Sequence, residues 1–178
     1  MLKESPKTNK RLIYIVPFYV GYRMSSFNPL MNDMVVIDWQ LRLLSFLKDL
    51  KFEVFVKQHP ESNTRMPEYF FQEIGVQDLN GNFEDVVHPN DICIFDWQST
   101  TTFGAALKQN NPIVFINFGT QELHENERTI MHQRLIEIDG FYDARNRADI
   151  EWSSLNEAIQ VCQNLNDKKF VKLIYGSA

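Results

Sequence analysis

Cysteine is scarce in this sequence: Cys93 and Cys162 are the only two in 178 residues. The first stands in an apolar strand-like run and the second in a helix-like one. Both read as small buried hydrophobes, so no disulfide framework is expected. Basic charge is also short. Eighteen Lys and Arg face 23 Asp and Glu, a net charge of −5, and a general nucleic-acid binder needs the opposite balance to displace phosphate counterions. A small anionic ligand asks only for a local positive site. No run approaches the ~20 apolar residues of a membrane span. The N-terminus, "MLKESPKTNKR", is polar where a secretory signal carries its apolar core. A cytoplasmic location is expected, with the inner face of the membrane as the variant of it. Internal repeats and low-complexity segments are missing too, and no linker divides the chain after residue 11.

What is present is an ordinary globular balance, 44% hydrophobic and 23% charged, enough to bury one sizeable core. Residues 1–10 read as a polar lead or linker and 11–178 as one domain. "RLIYIVPF" (11–18) is a compact apolar strand followed by a loop, "YVGYRMSSFNP". From Asn32 or Asp33, Val36, Trp39, Leu43, Leu47 and Leu50 recur at three- and four-residue steps, which predicts a helix, with Gln40 bordering the stripe. "FEVFVK" is a second strand. Pro67 opens a helix that Gly75 closes. "VQDLNG" is a weak strand or turn, and "FEDVV" a short segment.

"DICIFD" (91–96) and "PIVFINFG" are interior strands, separated by a helix that the hydroxyls of "STTTFGAALKQN" open and Asn110 and Asn111 close. "ENERTIMHQRLIEIDG" is expected to be helical as far as Gly140. Ser154 with Glu157 predicts a capping box for a last helix. Strands apolar on both faces, alternating with helices, imply a doubly wound, Rossmann-like α/β domain around a parallel sheet.

In such a sheet ligands bind beyond the carboxyl ends of the strands. Two of those ends carry the sharpest chemistry. Lys57-Gln58-His59-Pro60 offers a fixed charge and an imidazole, which together suit a phosphate; the plain alternative is a histidine that caps a loop. Ser99, Thr100 and Thr101 open a helix, where free N–H groups and hydroxyls suit an anion; the plain alternative is ordinary capping. Asp96 ends its strand beside them. A carboxylate there repels phosphate unless it turns toward a backbone N–H or a hydroxyl, so capping or orienting its neighbours is preferred over a direct functional role. Tyr14, Trp39 and Trp97 read as core, and Arg134, Arg145 and Arg147 as solvated. His88-Pro89 reads as a turn. His124 and His132 stand eight apart, not the four of a zinc-protease helix. "DLNGNFED" misplaces its glycine for a calcium loop. No metal and no other cofactor is expected.

"KQHP" after a strand, then "DICIFDWQSTTTFGAAL", then "NPIVFINFG" resembles the C-terminal, donor-binding half of GT-B glycosyltransferases and related transferases of bacterial surface polysaccharides. That group includes sialyl- and Kdo-transferases using CMP-sugars, and CDP-glycerol glycerophosphotransferases. The resemblance runs over roughly residues 11–165. It implies His59, Ser99 and Thr100 on the donor phosphate, with Lys57 and Thr101 beside them and the Gly21 loop close by. His59 is the implied catalytic group. Gly119, Thr120 and Glu122 would lie by the nucleoside or sugar. The implied partners are a nucleotide-activated sugar or CDP-glycerol and a missing N-terminal half or partner chain, which would hold the acceptor. A sugar-nucleotide epimerase half and a non-catalytic flavodoxin-like binding module are the alternatives.

Overall fold

The computed structural model describes residues 10–17, 32–58, 68–97, 101–119 and 124–165. Along the chain run β1 (Arg11–Ile15), α1 (Asp33–Asp49), β2 (Glu53–Lys57), α2 (Glu68–Ile74), β3 (Gln77–Asp78), α3 (Phe83–Val86) and β4 (Ile92–Phe95). Then follow α4 (Thr101–Lys108), β5 (Ile113–Asn117), α5 (Glu125–Met131), β6 (Ile136–Tyr142), β7 (Ala148–Ile150) and α6 (Trp152–Val161), which ends in a 3₁₀ turn over Cys162–Asn164.

Local chemistry explains the longest of these. Asn32 caps α1 by accepting the Met34 N–H at 2.8 Å, Asp33 follows in the first turn, and Lys48 stands in the last. The expected stripe is the buried face: Trp39, Leu43 and Leu47 are fully covered, and so is Gln40 beside them. β4 is buried at every residue, as a strand covered on both faces must be.

The strands form one sheet in the order β3-β2-β1-β4-β5-β6-β7. All neighbours are parallel except β6 and β7. Leu12, Tyr14, Ile92, Ile94, Val114 and Ile116 pack on one face against α1, α2 and α6. Ile13, Cys93, Phe95 and Phe115 pack on the other against α3, α4 and α5. This is the doubly wound α/β fold expected from the alternation of strands and helices. Its first six strands take the Rossmann-like order, which reverses direction between β1 and β4. Among the described residues no helix is long and apolar enough to cross a membrane.

Three expectations are corrected. The helix of residues 125–140 stops at Met131, and Ile136–Tyr142 is a strand. "IEID" alternates with period two, so Ile138 faces the core while Asp139 is exposed. Gly140 therefore ends no helix. It lies within β6 with the Phe118 ring directly over it, where a Cβ would collide with the ring. The last helix begins at Trp152, two residues before Ser154, and Glu151 is its cap, accepting from the Ser153 N–H. Arg134 is not solvated but fully buried. With α5 ended, it sits in a tight turn, not on a helix face, and its Nη2 donates to the Asn111 carbonyl at 2.7 Å. Burial lowers its pKa.

Candidate functional site

The strand order reverses between β1 and β4, and the helices that follow these two strands leave to opposite faces; in doubly wound sheets a crevice beyond the carboxyl ends of the strands lies at such a point. Ile15 is level with Lys57 on one side and with Phe95 on the other. The ends of β2, β1 and β4 thus lie side by side, and β2 and β4 are about 10 Å apart at ordinary strand spacing.

Asp96, the first residue beyond β4, is only 5% exposed. Its Oδ2 accepts two hydrogen bonds, from Tyr14 Oη at 2.6 Å and from Trp39 Nε1 at 2.9 Å. Register explains the first: Tyr14 lies opposite Ile94 in the sheet, so Asp96 projects to the same face one step farther along. The helical stripe explains the second, since it turns Trp39 onto that face. Phe118, just beyond β5, packs edge-on against Trp39 with centroids 5.1 Å apart, and Trp152 of α6 lies 5.7 Å away on another side. The indole is therefore fixed.

Among the described residues, Asp96 Oδ1 has no hydrogen-bond partner, and neither does Trp97 Nε1 on the next residue. Burial pushes the Asp96 carboxyl up to about 6 from its usual 3.8, against the bonds from Tyr14 and Trp39 and its own backbone N–H, which favour the ion. A buried oxygen left unpartnered is uncommon in folded proteins. Glu137 supplies the contrast. Its Oε1 accepts from Asn117 and Arg128, and its Oε2 from Arg128 with His132 beside it. Burial would raise its pKa, but those bonds and the Arg128 charge hold it below the usual range. Glu137 is saturated; Asp96 is half saturated.

Of the residues assigned to the donor in the sequence, Lys57, Thr101 and Gly119 fall within the described segments. Lys57 ends β2 at this edge, 4% exposed, with its ammonium donating to the Gln58 carbonyl at 3.1 Å. The Gln58 side chain in turn donates to Asp78 at 2.8 Å. Thr101 is the exposed first residue of α4. Gly119 follows β5 with φ +76°, the left-handed region that favours glycine, and its N–H donates to the Asn117 side chain at 2.9 Å. Nothing stands within 4 Å of where its Cβ would be. His59, Ser99, Thr100, Gly21, Thr120 and Glu122 lie outside the described residues.

Tyr14 and Trp39 are core residues as expected, both fully buried. What sequence reasoning missed is that their polar tips converge on one carboxylate. The preferred reading of Asp96 holds as far as it went, since the carboxylate does turn toward a hydroxyl. The turn at His88-Pro89 is also observed: the His88 N–H donates to Asp91, and its carbonyl accepts from Asn111. No family model matches this chain, and no curated protein matches it.

Proposed function

We propose that this chain binds a nucleotide-activated donor, a nucleotide sugar or CDP-glycerol, in the crevice beyond β1 and β4. It would serve as the donor half of a surface-polysaccharide transferase, with the acceptor held by a second half or a partner chain. The observation that carries this is the reversal of strand order between β1 and β4 with a half-satisfied buried carboxylate at the same point. The segments leaving β2 and β4 in the sequence carry His59 and Ser99-Thr100, the residues on which the resemblance to donor-binding halves rests.

In group transfer from such a donor, negative charge grows on the departing nucleotide phosphate. Donors aimed at that charge act in the transition state, and removing one commonly costs ~10² to 10³ in rate. His59 is assigned that task, with proton donation as a second contribution if its pKa lies near the working pH.

A thermal-shift screen against CMP, CDP, UDP, GDP and their sugar or glycerol conjugates tests the assignment, since a ligand that binds only the native state raises the melting temperature. At least one nucleotide is expected to do so, and His59→Ala is expected to weaken that shift with the unliganded melting temperature unchanged. Absence of any nucleotide-dependent shift would contradict it.

A further inference from the structure

Asp96 is the one carboxylate among the described residues with an oxygen that is itself fully buried and has no hydrogen-bond partner. Two rigid groups hold the other oxygen. Tyr14 Oη comes from β1 in the middle of the sheet, and Trp39 Nε1 comes from α1, wedged between Phe118 and Trp152. The carboxylate plane is thus set before any ligand arrives, which is how a polar group is prepared for recognition and not merely for packing.

The chemistry of the remaining oxygen narrows what can approach it. An ionised carboxylate is acceptor-only, and in a site shielded from water it repels phosphate more strongly than it would in bulk solvent. A hydrogen-bond donor is required. A hydroxyl supplies one, its O–H donating to Oδ1.

We propose that Asp96 Oδ1 anchors a hydroxyl of the donor, so that the crevice between β1 and β4 holds a hydroxylated part of the ligand while its phosphates lie away from Asp96. This rests on the nucleotide-donor function above and deepens it. The hydroxyl has two possible sources, the ribose of the nucleotide and the sugar or glycerol that is transferred. Tyr14 and Trp39 act as positioning residues.

Asp96→Asn is the sharp variant, because its amide oxygen still accepts from Tyr14 and Trp39 while an NH₂ replaces the acceptor at Oδ1. Binding to wild type and variant is measured by calorimetry for inorganic pyrophosphate, CDP, UDP, GDP and their sugar or glycerol conjugates. One charge-assisted hydrogen bond lost predicts about tenfold to hundredfold weaker binding. Equal weakening of a nucleoside diphosphate and its conjugate identifies the ribose. Weakening of the conjugate alone identifies the transferred group. Pyrophosphate is expected to bind the variant at least as well as wild type, since a negative charge has been removed. A nucleotide that binds both proteins alike overturns the Asp96 assignment and leaves the donor site standing, as does a loss that extends equally to pyrophosphate, which would mark a structural role. A wild type that binds no nucleotide overturns both assignments.

Discussion

At the scale of single residues, Asp96 gives the fold a pH dependence of its own. Its pKa rises from 3.8 to about 6 on folding, with burial as the largest cause. The folded state therefore holds the proton more tightly than the unfolded chain between those values. The stabilisation is fully present below the unfolded pKa and is lost as pH rises through 6. Asp96→Asn lacks this titration, so the stability of wild type relative to the variant should fall by ~2 kcal/mol between pH 4.5 and pH 8. Chemical denaturation at a series of pH values measures this, and parallel curves for the two proteins would contradict it. None of it could be read from residue 96 alone. A strand-ending aspartate was visible, but its partners depend on the β1 to β4 register, which places Tyr14 one step below it, and on the rotation of α1, which brings Trp39 across. Arg134 misled for a related reason: its exposure was inferred from charge, whereas the turn after α5 carries it inside with the Asn111 carbonyl as its hydrogen-bond acceptor.

At the scale of elements, the wall behind Asp96 depends on β6. Phe118 presses on Trp39 and occupies the space above Gly140. Gly140→Ala must push that ring aside, and overpacking of this kind costs about 1–3 kcal/mol. Phe118→Leu in the same chain should return part of the loss, giving a positive coupling in a double-mutant cycle of denaturation free energies. Additive effects would show that the ring and the glycine do not meet. β6 was also the element the sequence concealed. Its stretch carries Glu137 and Asp139 next to a helical run, and the period-two signal of "IEID" lasts only four residues before Gly140, where a helix end seemed natural. β7, three residues long and antiparallel, is too short to leave a periodicity. In contrast, α1 was legible to its cap, because a 17-residue helix repeats its stripe often enough to be seen.

At the scale of the whole molecule, apolar runs alternating with amphipathic ones were sufficient to imply a doubly wound parallel sheet, since strands buried on both faces admit few other architectures. They did not say which strands are neighbours. The order β3-β2-β1-β4-β5-β6 is what converts a set of strand ends into a crevice, and it singles out β1 and β4 instead of the β2 and β4 pair suggested by Lys57 and the hydroxyl cluster. Those two ends share the edge but flank β1, so a ligand bridging them crosses the crevice and passes over Val16. The most direct test of this placement is a two-dimensional amide NMR titration of the ¹⁵N-labelled protein with the nucleotide that gives the largest thermal shift. The largest changes are expected on Val16, Asp96, Trp97 and Thr101, around the ends of β1 and β4. Changes confined to the opposite, amino-terminal edge near Arg11, Asp91 and Asn111, or to the outer edge at β7, would contradict it.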